Sequence, residues 1–269
     1  MKVLVLGSTG MLGSAVGKYF ENTDHKAILT YRNQKVAYGK NRVFFDTKMS
    51  LEHMQTEKCD YVINCIGTIK PFMATSPRDS RYINSVFPWD LAAWCKSHGS
   101  KLIHITTDCV YSGRKGSYVE SDAHDALDDY GKSKSLGEPV DDCMVIRTSI
   151  IGEEIHKNAS LVEWAKSQKG KSVKGFINHL WNGITTNQYA KICHQIIDQN
   201  LWSTGLFHVY SKDVVNKLQM LEYFDEKFDL DLDIAAFEPP VSCDRSLSSE
   251  KDLVAKLDVP TVKEQILAL

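Results

Sequence analysis

Three side chains in this 269-residue sequence have the types and spacing for moving a proton to or from a carbonyl oxygen. Tyr130 and Lys134 stand four apart in DDYGKSKSLGE, so on a helix they share one face. An ammonium beside a phenol favours the phenolate, and it is expected to draw the tyrosine from its ordinary value near 10 towards neutrality, where it serves acid–base chemistry. Thr107, upstream in HITTDCVYSG, offers a hydroxyl to hold the reacting oxygen. Tyrosine and lysine at this spacing also occur on plain solvated helix faces. Their weight here comes from a second motif in the same half of the chain.

That motif is GSTGMLG, with Gly7, Gly10 and Gly13 set between a strand-like apolar run and a helical stretch. Glycines at these places let the backbone turn sharply and approach a pyrophosphate. They also let the helix pack close to the strand, with its N-terminal amides facing the phosphates. The nucleotide is read from the end of the second strand, where a carboxylate would hold the ribose of NAD and a cation the 2′-phosphate of NADP. The residues there are Tyr31, Arg32 and Asn33, with no acid among them. Arg32 suits a phosphate, so NADP(H) is favoured over NAD(H). Asp46, just past the third strand, is a candidate partner for the adenine amino group.

The elements that would position these groups alternate between strand and helix. Continuous apolar runs, expected of strands buried on both faces, cover Lys2–Leu6, Lys26–Thr30, Val43–Phe45, Tyr61–Ile66, Lys101–Thr106 and Met144–Arg147. Helical stretches fall at Met11–Phe20, at Ser80–His98 with Leu91, Ala92, Trp94 and Cys95 on its apolar stripe, and from Asp129. This alternation predicts an α/β fold: a doubly wound parallel sheet of the Rossmann kind. Beyond Thr148 the pattern changes. Helices at Ser160–Ser167 and Thr186–Asp198 and short extended pieces at Leu206–Val209 and Asp233–Phe237 lie among polar loops. The expected division is a nucleotide-binding domain over residues 1–150 and a smaller, mainly substrate-binding lobe over 151–269, with about 183–205 returning to the first.

Composition narrows the function. Thirty-two Lys plus Arg against 34 Asp plus Glu leave a formal charge of -2, so no global field favours nucleic acid or an anionic membrane. No apolar run is long enough for a membrane span or a signal peptide, which leads to the expectation of a cytoplasmic protein. The seven cysteines form no CxxC pair and read as free thiols, mostly in the core. His98, His104, His179 and His208 lie in or beside apolar segments without metal-ligand spacing, and buried, hydrogen-bonded roles are expected for them.

With these motifs in place, the chain resembles the extended short-chain dehydrogenase/reductases, and within them the dTDP-4-dehydrorhamnose reductase family. The resemblance runs from Met1 to about Leu257 through GSTGMLG, DYVINCIGT, RYINSVFPWDLAAWC, HITTDCVYSG, ESDAHDALDDYGKSKSLGE, IRTSIIGE, NHLWNGITT, GLFHVYS and DRSLSS. It implies catalysis by Thr107, Tyr130, Lys134 and Asn84. Tyr130 would be the proton donor and Thr107 would polarise the carbonyl. Lys134 would tune the phenol and bond the nicotinamide ribose, and Asn84 would steady Lys134 through water. Gly7, Thr9, Gly10, Met11, Leu12 and Gly13 would line the pyrophosphate, and Cys65, Ile66 and Gly67 the adenosine side. The implied substrate is a nucleotide-linked 4-keto-6-deoxy sugar of carbohydrate biosynthesis. Thr68, Thr107, Asn178, Trp181, Asn182 and Arg245 are its candidate contacts, although Trp181 also fits a hydrophobic plug and Arg245 a surface ion pair. The resemblance allows a homodimer. Ile150 stands where the family often has an aromatic after Arg-Thr-Ser, and NHLWNG departs from the usual string. Acidic residues that support a metal-bridged dimer in some relatives have no counterpart, so no metal is expected. Two other readings stay open: a nucleotide-sugar epimerase that retains its NAD(P), and a non-catalytic NADP-binding regulatory subunit.

Overall fold

The computed structural model describes residues 1–33, 35, 39–156 and 160–269. Its centre is a seven-stranded, all-parallel sheet. The strands are β1 (Lys2–Leu6), β2 (Lys26–Tyr31), β3 (Arg42–Phe44), β4 (Tyr61–Asn64), β5 (Lys101–Thr107) and β6 (Met144–Thr148), with β11 (Gly205–His208) at the edge. Their order is β11-β6-β5-β4-β1-β2-β3. The chain leaves β1 towards β2 and β3, then crosses back to lay β4 on the other side of β1, with Leu6 in register with Asn64. The crevice beyond the carboxyl ends of β1 and β4 is thus the topological switch point, where open α/β sheets bind ligands.

The two-residue period of the strands divides the core between the faces. Val3, Val5, Ile103 and Ile105 pack under α1 (Met11–Phe20) and α7 (Thr186–Asp198), whereas Leu4, Leu6, Val62 and Leu102 pack against α4 (Phe87–His98). Strands buried on both faces explain the uninterrupted apolar runs. The short helices α2 (Lys70–Met73), α3 (Pro77–Arg81) and α5 (Asp129–Ser135) lie along the carboxyl edge of the sheet.

The helix expected over Ser80–His98 is broken. Between α3 and α4, residues Tyr82–Val86 form a π-helical turn. Pro88, in the first turn of α4, has no N–H to give the Asn84 carbonyl four residues earlier, and the wider turn absorbs that missing bond. His98 also departs from expectation. It is exposed at the end of α4, stacked on Trp94 with ring centroids 4.3 Å apart. His179 is only half-buried, while His104 and His208 are fully buried.

The remaining elements complete the chain: Ile184 and Leu253 return to the first core, and most of the others build a second. They are β7 (Ile150–Ile151), α6 (Leu161–Ser167), β8 (Ser172–Phe176), β9 (His179–Trp181), β10 (Ile184–Thr185), β12 (Val215–Asn216), α8 (Lys217–Phe228), β13 (Asp233–Phe237), β14 (Cys243–Asp244), α9 (Leu253–Lys256) and α10 (Val262–Leu267). Val162, Val173, Trp181, Met220, Phe224 and Ile266 form the heart of this core. Among the described residues, no helix is long and apolar enough to cross a membrane.

Candidate active site

The glycine turn follows β1 directly. Gly7 adopts a left-handed conformation (φ +76°), and its amide donates to Thr30 Oγ1 on β2 at 2.9 Å. At Gly13 a Cβ would stand 2.1 Å from the Gly7 carbonyl oxygen, so only glycine lets α1 sit this close to the turn. Gly10 caps α1 without any side-chain hydrogen bond, and no acid occupies the first helical turn. The amide donors and positive end of the helix therefore face the crevice, a cradle that fits a pyrophosphate. Thr9, Gly10 and Met11 lie at this surface, whereas the Leu12 side chain is buried in the core and only its backbone is available to a phosphate. Opposite the turn, the chain leaves β4 through Cys65, Ile66 and Gly67, and a Cβ on Gly7 would meet Ile66 Cγ1 at 3.0 Å.

Past the end of β2, Arg32 is 69% exposed, with its Nε 3.9 Å from Asp46 Oδ2. Tyr31 packs edge-on against Phe44. Asn33 and Asp46 each accept a backbone amide two residues on, from Lys35 and Lys48. Arg32 and Asp46 thus form a long, exposed ion pair at the rim past the end of β2.

The proton-transfer residues converge at the carboxyl end of β5. Thr107 is its last residue, and its hydroxyl donates to Asp108 Oδ1 at 3.0 Å and accepts from the Cys109 amide at 3.1 Å. Asp128 caps α5 by accepting the Gly131 amide at 2.8 Å, which fixes the helix that carries Tyr130 and Lys134. The spacing argument needs correcting over the phenol. Burial lifts Tyr130 above its ordinary range and the adjoining Cys109 thiol lifts it further, while a hydrogen bond with Thr107 pulls it back. The Lys134 ammonium turns instead to the Ile105 carbonyl at 3.2 Å. Burial pushes Lys134 itself down to about 8, opposed only by Glu138. A residue spacing reveals a shared face but not the desolvation that comes with it.

Asn84 projects from the π-helical turn, a common place for functional side chains. Its carboxamide brackets Thr68, accepting the Thr68 amide and donating to the Thr68 carbonyl, both at 2.9 Å, and it also donates to Ser133 Oγ at 3.1 Å. It makes no direct bond to Lys134. Gly67 lies close to both: a Cβ there would stand 3.9 Å from Asn84 Oδ1 and from Lys134 Nζ.

A cleft of about 290 Å³ opens beside Thr107, lined in part by Asp108, Cys109, Ile150, Trp181, Lys217 and Arg245. Trp181 serves both the cleft and the second core. The candidate role of Asn182 needs correcting: it is buried, bonded to the Leu247 backbone at 2.8 Å in both directions, and does not line this cleft. Asn178 donates to the Pro239 carbonyl and does not line this cleft. Arg245 is no surface ion-pair partner; it donates to the carbonyls of Tyr111 and Ser112 from the cleft wall. Sequence reading missed Lys217, whose ammonium lies 5.4 Å from the Trp181 ring centroid and whose burial lowers its pKa. As an unremarkable lysine at the start of a helix, it gave no local signal. Lys70, paired with Asp128 at 2.6 Å and lying 5.9 Å from the Tyr130 ring centroid, was missed for the same reason.

A glycine turn at the switch point, a strand-end threonine, and a tyrosine and lysine one turn apart, with a second lobe over the carboxyl edge, define the class of extended short-chain dehydrogenase/reductases. The chain belongs to the family described as the RmlD substrate binding domain, whose model matches residues 1–258. Methionine adenosyltransferase 2 subunit beta of Danio rerio is 29% identical over 85% of this chain and 74% of its own length. The probable low-salt glycan biosynthesis reductase Agl14 of Haloferax volcanii is 26% identical over 99% of this chain and 92% of its own. Three solved structures share the fold. A dTDP-4-dehydrorhamnose reductase from Yersinia enterocolitica superposes with a TM-score of 0.76 at 20% identity (99% of this chain, 97% of that one). One from Bacillus anthracis in complex with NADP gives 0.75 at 17% (99% and 97%). MoeE5 in complex with UDP-glucose and NAD gives 0.76 at 15% (99% and 96%).

Proposed function

We propose that this protein is an NADPH-dependent reductase of a nucleotide-linked 4-keto-6-deoxy sugar. The observation that carries the reading is the convergence of the Thr107 hydroxyl and the Tyr130 phenol beside a cleft that holds two cations, Lys217 and Arg245. The glycine cradle fits a dinucleotide, and a bound nicotinamide would supply the hydride. Tyr130, a phenol protonated at neutral pH, gives its proton to the carbonyl oxygen as that oxygen gains charge. The Thr107 hydroxyl donates to the same oxygen once it turns from Asp108. Lys134 supplies a positive charge that stabilises the phenolate left behind, and its remaining donors suit a ribose hydroxyl. Asn84 holds the Thr68 backbone and with it the floor between the glycine turn and Lys134. Lys217 and Arg245 suit the diphosphate of a nucleotide sugar, with Trp181 as an apolar wall. Arg32 favours NADP(H) because, among the described residues, its guanidinium is paired only with Asp46, at 3.9 Å, and is 69% exposed.

The test is to supply 4-keto-6-deoxy sugar nucleotides, generated in place by a 4,6-dehydratase, and follow NADPH absorbance. Stoichiometric loss supports the reductase; sugar conversion without net NADPH loss makes the protein an epimerase. A second reading, a non-catalytic NADP-binding subunit, is favoured by the likeness to a methionine adenosyltransferase subunit beta. It is adopted if NADPH binds and no ketosugar is turned over.

A further inference from the structure

At the opposite end of the sheet from the crevice, three side chains distant in sequence meet. His25 lies in the turn between α1 and β2, while His194 and Asp198 stand four apart on the last turn of α7 and so share one helix face. Their ligand atoms all lie within 4.8 Å of one another. His25 Nε2 is 2.9 Å from Asp198 Oδ1, and His194 Nε2 is 3.1 Å from Asp198 Oδ2. Donors about 2.1 Å from a tetrahedral zinc stand about 3.4 Å apart, so small rotations would seat an ion among these three. Both imidazoles are held by rings: His25 stacks on Phe20 and His194 sits edge-on to Tyr19 and Phe20. Tyr19 Oη is 3.4 Å from His194 Nδ1, an outer hydroxyl able to accept from Nδ1–H once Nε2 gives up its proton to ligate. The Met1 nitrogen lies at the same 3.4 Å from His25 Nδ1. The carboxyl ends of α1 and α7, which carry negative partial charge, both face the cluster. Side-chain exposures of 11% for His25, 25% for His194 and 47% for Asp198 leave one side open to a water ligand.

We propose that His25, His194 and Asp198 form a binding site for a divalent transition-metal ion, zinc by its donor set, which ties the α1–β2 turn to the end of α7. Two imidazoles and one carboxylate with a fourth position for water match zinc chemistry and suit magnesium poorly. The site lies away from the proton-transfer residues, so it is a structural rivet, and it stands or falls independently of the reductase reading.

The experiment uses the full chain, stripped with chelator, titrated separately with Zn²⁺, Co²⁺ and Mg²⁺ by calorimetry and absorbance. One equivalent of Zn²⁺ should bind and raise the Tm. Co²⁺ should give the visible bands of a tetrahedral nitrogen and oxygen site without the thiolate absorption that binding to the free cysteines would bring, and Mg²⁺ should do neither. His194→Gln and His25→Asn should each weaken Zn²⁺ by more than about tenfold while keeping the far-UV circular dichroism, with a smaller loss for Tyr19→Phe. The proposal is overturned if Zn²⁺ does not bind at one equivalent. It is equally overturned if the double histidine variant binds as tightly as the parent, or if Co²⁺ shows thiolate absorption. In those cases the three residues are a hydrogen-bonded latch only.

Discussion

Two buried cations sit on neighbouring elements along the seven-stranded sheet, and they are handled in opposite ways. Arg147, on β6, is fully buried, and every arm of its guanidinium is engaged. It donates to Glu138 Oε1 and Oε2 at 3.3 and 2.6 Å, to Tyr111 Oη at 2.5 Å, and to the ring nitrogens of His208 and His124 at 3.0 and 2.6 Å. Burial, together with the arginine charge, lowers the pKa of both histidines, which keeps them neutral and able to accept. Lys134, on α5, has one carbonyl at 3.2 Å and, among the described residues, no carboxylate in contact. A buried charge whose donors are all taken holds structure together; one left with spare donors is a standing cost to the fold that a ligand can relieve. The second arrangement is the one the proposed reductase reading uses at Lys134.

Breaking Arg147 should therefore have the largest effect on stability. Arg147→Met leaves Glu138 buried without its partner, and urea unfolding should show a loss of about 3–5 kcal/mol. A loss below about 1 kcal/mol would mean that water reaches the network and that the contrast with Lys134 is false. Lys134→Met should move the other way. Its fall from 10.5 to about 8 corresponds to a charging cost on the order of 3 kcal/mol in the folded state. The folded protein binds fewer protons than the unfolded chain between those values, so wild-type stability should rise as pH climbs from about 8 towards 10.5. At neutral pH the variant should be at least as stable as wild type, and that rise should vanish from its pH profile. Its ketosugar turnover should also collapse, which separates a functional cation from a structural one. Tyr130→Phe, which leaves both cations in place, should lower kcat by roughly a hundredfold or more, about 2.7 kcal/mol in the barrier. Circular dichroism and NADPH affinity should not change. Unaltered kcat would show that another group delivers the proton.

The same contrast explains what could be read from the sequence. The parallel sheet was legible because strands buried on both faces leave uninterrupted apolar runs, as in Lys2–Leu6, and the helices Met11–Phe20 and Thr186–Asp198 keep the bounds expected of them. The convergence of Thr107 with Tyr130 followed from both lying at the carboxyl edge. Burial itself was not legible. The direction of the Tyr130 shift, the loss of Asn182 to Leu247 and the exposure of His98 all depend on what packs above a residue, which neither spacing nor type records. Residues that meet only through the fold were equally hidden: Lys217 in the cleft wall, and His25 with His194 and Asp198. The π-helical turn at Asn84 was within reach, because Pro88 sits four residues on, yet the apolar period runs smoothly across it.

An exposed cation, Arg32, should show the smallest effect. Arg32 is 69% exposed, so water has already met its donors and a cofactor phosphate gains only the difference. Arg32→Ala should accordingly raise the Kd for NADPH by about tenfold, near 1.4 kcal/mol, and leave NADH unchanged, as measured by fluorescence titration. Asp46 supplies the converse. Its carboxylate, 3.9 Å from the guanidinium, competes with a 2′-phosphate for the same charge. Asp46→Asn should tighten NADPH a few-fold at low ionic strength, and the gain should fade as salt screens the pair. Equal changes for NADPH and NADH in either variant would mean that this rim does not read the 2′-phosphate, and NADP preference would then have no basis in Arg32.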